Sequence, residues 1–336
     1  MRRTARGSRS LVFVFVCVCL SLCLALFACK ASGPAGGAGE HPFKVALLNP
    51  GPISDAGWNA AGYEGLLRIR DELGAQVSNM QTSTPSQFEE GFRDYARQGY
   101  DLVFGHGFEF QDAALKVGAE FPNTVFVTSS GSVYAKNVAS LTIHLEQATY
   151  LAGMLAGGMS KTHRAGCVGG IELPVIRIGF DGFTAGARSM QPDFVVATAF
   201  TGSFEDVAAA KAATDAMIAQ GADMVLHNAD AAGLGVFQSA TSHGIFAFGT
   251  NRDQSDVAPA TVLASATVSL PEAFIDVARE VKEHRFVGRA MQLGMAEGVV
   301  RLAVNPKLKD RIPADLWSRV SAAQEKIARG ELRVLP

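Results

Sequence analysis

Phe43-Lys-Val-Ala-Leu-Leu-Asn-Pro-Gly-Pro-Ile-Ser-Asp-Ala-Gly-Trp-Asn59 decides how this chain is read. The apolar run at 43–48 suits a buried strand. The Gly- and Pro-rich stretch at 49–57 suits a turn, and the spacing over 60–73 suits a helix, so the three make the first half of a βαβ unit. Ligands in open α/β sheets lie beyond the carboxyl ends of the strands, and this turn is such a place. It carries a carboxylate (Asp55), a flat aromatic (Trp58) and an amide (Asn59), a set that suits a small ring-bearing ligand. Two structural roles compete with that reading: Asp55 as a helix cap and Trp58 as packing.

Strand and helix patterns alternate through the rest of the chain. Strands are expected at 75–80, 101–104, 124–127 and 138–143, with helices at 85–98 and 111–120 between them. Phe88, Phe92 and Tyr95 fall on one face of the first of these helices. A long helix at 146–159 is rich in Ala and Gly, which suits close packing against a neighbour. The alternation then starts afresh at 165 and continues to a last helix at 313–329. Two such runs imply an α/β protein of two doubly wound parallel-sheet lobes with a hinge and a ligand cleft. The expected division is lobe 1 at 43–145, completed by about 251–290, and lobe 2 at 146–250, with 291–336 packing on the lobes. The body is roughly 295 residues, enough for two lobes.

The N-terminus reads as an export signal. Arg2, Arg3, Arg6 and Arg9 precede an unbroken apolar run from Leu11 to Phe27, the n-region and h-region of a signal peptide over 1–28. Leu26-Phe27-Ala28-Cys29 is similar to a bacterial lipobox, in which the Cys is diacylated and becomes the mature N-terminus. An ordinary signal peptide and an uncleaved anchor are the alternatives. Residues 29–42, small and flexible, read as a tether, and a diacylated Cys29 would supply the two chains that stable anchoring needs. Cys167 is the one cysteine beyond the signal, so no intrachain bridge can form. A formal charge of -2 and the lack of a basic stripe argue against nucleic acid as a partner.

Enzymatic signatures are missing. There is no Gly-x-Ser-x-Gly elbow, His-Glu-x-x-His helix or P-loop, and Gly233-Leu-Gly235 lacks the third glycine of a dinucleotide fingerprint. The histidines are scattered without ligand spacing, and no cofactor is implied. The expected strand ends instead present Asp55, Trp58, Asn59, Phe108, Ser129, Glu172, Phe204, Asn228, Asp230, Asn251 and Asp253. Aromatics mixed with short polar groups can sandwich a flat or sugar-like neutral ligand, and suit an anion poorly.

Local patterns then identify a family. Ser54-Asp-Ala-Gly-Trp-Asn59 followed by Glu64-Gly-Leu66, Glu146-Gln-Ala-Thr-Tyr-Leu-Ala-Gly153, Val168-Gly-Gly-Ile-Glu172, Gly182-Phe-Thr-Ala-Gly186, Gly202-Ser-Phe-Glu-Asp206, Ala232-Gly-Leu-Gly-Val236 and Gly249-Thr-Asn-Arg-Asp-Gln254 occur in order behind the lipobox. Together they resemble the basic membrane protein family, the PnrA-like nucleoside-binding lipoproteins, over nearly all of the chain from about Phe43. The resemblance implies the type I periplasmic-binding-protein fold and a non-enzymatic solute-binding component of an ABC importer. It also implies permease subunits as partners and a lipid anchor on the bacterial cell membrane.

By position, the resemblance makes Trp58 and Phe204 the two rings that hold a base, with Phe204 opening a helix at 204–220, and it matches Phe108, Asn59 and Gly233. Three positions depart from the pattern. Ser129 and Asn251 stand where the family has Asp, and Val268 stands at or near an expected Lys. Asn228 and Asp230 stand where the family is usually less polar. The expected ligand is therefore a small ring-bearing polar molecule, a purine nucleoside first. The alternatives are a non-nucleoside solute, or a sensing lipoprotein that reports to a membrane partner.

Overall fold

The computed structural model describes residues 41–55 and 57–335. The signal at 1–28 and Cys29, with all but the end of the tether, lie outside the described residues. The body opens with β1 (Lys44–Asn49), α1 (Trp58–Leu73), β2 (Gln76–Gln81), α2 (Pro85–Arg97), β3 (Leu102–Gly105), α3 (Gln111–Glu120), β4 (Val125–Thr128) and β5 (Val138–Ile143). The second run is α4 (Leu145–Met159), β6 (Arg164–Gly169), α5 (Pro174–Met190), β7 (Val195–Phe200), α6 (Val207–Ala219), β8 (Met224–Asn228), α7 (Gly233–His243), β9 (Phe246–Asn251) and β10 (Val262–Val268). The chain ends with α8 (Leu270–Lys282), β11 (Ala290–Leu293), β12 (Val300–Val304) and α9 (Ala314–Ala328).

Two six-stranded sheets result. The first has the order β11-β5-β4-β3-β1-β2 and is parallel throughout. The second has the order β12-β10-β9-β8-β6-β7, parallel except for the antiparallel edge β12. This is the doubly wound pair of lobes that the alternation predicts.

β1 shows why such strands read as continuous apolar runs. Val45 and Leu47 face one hydrophobic core, while Ala46 and Leu48 face another, built from Phe88, Phe92 and Tyr95 of α2 and Ala113, Ala114 and Val117 of α3. A strand covered on both faces has no polar side to alternate with. The start of α2 is set locally. Thr84 and Gln87 form a capping box and Pro85 takes the first helical turn, where its missing N–H costs nothing.

The expected lobe boundary near residue 251 is corrected. β10 pairs with β9 and belongs to the second sheet, because Val262–Val268 is buried on both faces and continues the parallel order. Only from 270 onward does the chain return to lobe 1, where α8 packs on α1 through Phe274 against Gly65 and Phe104. Nor does the C-terminal part merely pack on the lobes: β11 extends the first sheet and β12 the second. The chain therefore passes between lobes near 143–145, 268–270 and 293–300. These passages are tied together by His144 N–H to the Leu293 carbonyl (2.9 Å) and Ser269 N–H to the Val299 carbonyl (2.8 Å). Among the described residues, no helix is long and apolar enough to cross a membrane.

Candidate functional site

Strand ends of both sheets and the interlobe passages enclose a cavity of about 80 Å³, room for roughly half a dozen water molecules. That is room for one small ring, so a ligand of nucleoside size needs the lobes to part or must extend into the adjoining groove beside Asp55 and Asn59. Its aromatic wall is Trp58, Phe108 and Phe204; its polar groups are Ser130, Asn228, Asp230, Asn251 and Glu109. Ile143, Leu145 and Val268 from the passages close it, with Leu173, Val175 and Ile176 from the start of α5.

The first turn of the chain is organised by Asp55. Its Oδ1 accepts from the amides of Gly57 and Ala60 (both 2.9 Å), and its Oδ2 from the amide and side chain of Asn59 (2.9 and 2.8 Å). Asn59 in turn accepts from the Gly51 amide (3.2 Å). The capping role thus accounts for both carboxylate oxygens, where the orphan N–H groups of α1 need acceptors. Asp55 and Asn59 border the outer groove that leads to the cavity, not the cavity itself.

Trp58 is held by His106. The rings stack at 4.4 Å with 8° between their planes. The indole N–H donates to the His106 carbonyl (3.2 Å), and imidazole Nε2 lies 2.7 Å from the Trp58 carbonyl. A carbonyl only accepts, so Nε2 carries the proton and Nδ1 accepts from the Ser129 hydroxyl at 2.7 Å. Burial pushes the His106 imidazole down to about 4, keeping it neutral. Ser129 therefore supports Trp58 through His106, while the neighbouring Ser130 lines the cavity.

Phe204 reaches the cavity differently from the expectation. Helix α6 starts at Val207 with Asp206 as its cap, so Phe204 sits in the preceding loop. Its ring lies directly on Gly170, where a Cβ would meet it at 2.2 Å. The Phe204 carbonyl accepts from the Ala232 amide (2.9 Å).

Asp230 and Asn251 both adopt left-handed backbone, φ 45° and 68°, a conformation that is uncommon away from glycine and gathers at functional sites. The Asn251 amide reaches toward Asn228 Oδ1 (3.4 Å) and Asp230 Oδ1 (3.5 Å). Burial, and then the Asp55 charge, push the Asp230 carboxyl up to about 7, although the Trp58 amide opposes them. Burial also raises the Glu109 carboxyl.

Besides Asp55, Asn59 and Ser129, three further expected residues lie outside the cavity. Gly233 lies against the His227 imidazole, where a Cβ would come within 2.2 Å of the ring; it is a packing position. Asp253 accepts from the amide and hydroxyl of Ser255 (3.0 and 2.6 Å) and borders a groove on another side of the lobes, with Glu64 and Arg252. Glu172 is exposed and paired with Arg177. Conversely, Glu109, Ser130 and the aliphatic wall apart from Val268 were absent from the expected set. Glu109 follows Phe108 at the end of β3, and a carboxylate between Phe108 and Phe110 was the available signal. Leu173, Val175 and Ile176 carry none, being indistinguishable from core.

The model of the family described as ABC transporter substrate-binding protein PnrA-like matches residues 43–334. The chain belongs to this family. Among relatives of this PnrA-like protein, the transcriptional activator protein med of Bacillus subtilis is 30% identical over 82% of this chain and 88% of that protein. A purine-binding protein of Brucella abortus is 28% identical over 87% and 83%. A solute-binding protein of an ABC transporter system from Aeropyrum pernix superposes with a TM-score of 0.80 at 23% identity, over 87% of this chain and 93% of that one. That likeness speaks for the fold of the PnrA-like chain.

Proposed function

We propose that this protein is the lipid-anchored receptor of an ABC importer and that its cavity takes a nucleoside or a molecule of that size, a purine nucleoside first. The observation that carries the reading is the small cavity between the two lobes, walled by Trp58, Phe108 and Phe204 and edged by Asn228, Asp230 and Asn251. Aromatic faces hold a base and short polar groups meet its edges and the sugar hydroxyls. The purine-binding relative supports the choice of ligand class. The three interlobe passages supply a hinge at which the lobes part to admit it. The proposed task is binding, which needs no nucleophile or metal.

Thermal unfolding against a panel of nucleosides, free bases and sugars tests the proposal. A ligand at 100 times its Kd adds ~2.7 kcal/mol, or roughly 4 °C for a chain of this size. Trp58→Ala and Phe204→Ala should each weaken a binding nucleoside by about 1–3 kcal/mol through lost stacking and burial. Unchanged affinity in both variants removes them as the ligand's walls.

Anchoring rests on the Leu26-Phe27-Ala28-Cys29 motif. Cys29→Ser should move the protein from the membrane fraction to the medium or periplasmic extract and abolish labelling by palmitate. Membrane retention of the unlabelled variant would leave an uncleaved anchor instead. A second reading, ligand sensing, is favoured by the transcriptional-activator relative. Loss of ligand uptake on deleting the protein supports transport, whereas intact uptake supports sensing.

A further inference from the structure

The cavity has an unbalanced charge. Asp230 and Glu109 both line it, Asp55 stands behind Asp230, and no Lys, Arg or His is among the residues lining it. Asp230 and Glu109 are half-buried, and carboxylates withdrawn from water without a countercharge either take up protons or recruit a cation. Trp58, Phe108 and Phe204 add the negative faces of three aromatic rings, which attract cations when water is excluded. The remaining polar groups, Ser130, Asn228 and Asn251, can meet hydroxyl and amide edges but bring no charge.

We propose that the natural ligand is a cationic ring compound of nucleoside size, its positive charge held between the aromatic walls and beside Asp230 and Glu109. The inference rests on the nucleoside-class reading above and, within it, replaces the neutral purine nucleoside with a cationic ring compound as the first candidate. A neutral purine would leave the carboxylates to be neutralised by protons alone, whereas a cationic ring answers both the acids and the aromatic faces. Val268, which also lines the cavity, brings no charge to it. Burial and then the neighbouring Asp55 carboxylate raise the Asp230 pKa, the direction that a nearby positive charge would reverse.

The test uses two ligands that differ in charge and little else: nicotinamide riboside, whose pyridinium ring is a permanent cation, and its neutral dihydro form. Calorimetric titration of the intact protein is run at pH 8 with both, and with adenosine and inosine. The cation is expected to bind at least about tenfold tighter than its neutral partner, in line with a desolvated cation–π and ion contact. Asp230→Asn, isosteric and tolerant of the left-handed backbone, and Glu109→Gln should each reduce that ratio about tenfold. Neutral nucleosides binding as tightly as the cation, or a ratio unchanged in both variants, would overturn the inference and leave the nucleoside-class receptor standing. Failure of all four compounds to bind would overturn the two together.

Discussion

Gly186→Val should lower the midpoint of thermal unfolding by roughly 5 °C, the result of about 3 kcal/mol of overpacking in a chain of this size. Helices α4 and α5 meet at their backbones. A Cβ on Gly186 would stand 1.9 Å from the Tyr150 carbonyl oxygen, and one on Gly153 would stand 2.0 Å from that of Phe183. Neither contact can be relieved by rotating a side chain, because the obstacle is the main chain of a helix. The two helices would have to separate, and with them Leu145 at the start of α4 and Val175 and Ile176 at the start of α5, which line the cavity. Weaker ligand binding should therefore accompany the lost stability. Gly179 is the control on the same helix. Nothing lies within 4 Å of a Cβ there, so Gly179→Ala should leave the midpoint unchanged or raise it by a degree or two, the usual gain of Ala over Gly within a helix. An unchanged midpoint in Gly186→Val would mean that the two helices have room for a side chain there and that close approach does not govern the position.

That contact was legible early. Ala and Gly at helical spacing over 146–159 imply a close neighbour, and α5 is that neighbour. The doubly wound lobes were legible for the same kind of reason: strands covered on both faces are short apolar runs, and each is followed by a turn and an amphipathic helix. The hinge was harder. Which sheet receives β10 depends on pairing with β9, a long-range choice that no local pattern encodes, so the return to lobe 1 was placed too early.

Within the site, the aromatics announced themselves because Trp58 and Phe108 directly follow glycines at strand ends and Phe204 follows one two residues on. Their supports did not. Ser129 and Ser130 are adjacent and chemically alike, and only the fold turns one toward His106 and the other toward the cavity. Asp55 read equally well as a cap or a contact, and the four donors around it resolve the choice in favour of the cap. Gly233 shows the opposite limit: a residue matched to a binding family can be fixed by packing, here by the imidazole of His227.

The same two buried imidazoles set how the protein should respond to acid. Burial holds His106 and His227 at about 4, below their usual 6.5. His227 Nε2 donates to Gln254 Oε1 at 2.9 Å, while its Nδ1 is buried with no partner, so a second proton there would have nothing to meet. Groups with depressed pKa bind fewer protons folded than unfolded. Their contribution is therefore complete above pH 6.5 and is lost as pH falls toward 4. Each is worth about 3 kcal/mol over that window. Asp230 acts in the opposite sense. Its carboxyl, raised from 3.8 to about 7, binds a proton in the folded state first, so acidification from 7 toward 4 stabilises by a similar few kcal/mol. His144, raised by the Glu146 carboxylate 2.8 Å away, also favours the acid side, its contribution being lost as pH rises. The unliganded protein should then lose only part of the histidine contribution between pH 6.5 and 4. Asp230→Asn should remove the offset: the variant is expected to be more stable than the parent at pH 8 and to fall more steeply below 6.5. Midpoints of unfolding measured from pH 8 to pH 4 in both proteins give the two slopes, and imidazole proton resonances give the titrations directly. Parallel curves would mean that the Asp230 carboxyl is ionised well below neutrality, and folded-state imidazoles titrating near 6.5 would mean that His106 and His227 are reached by water.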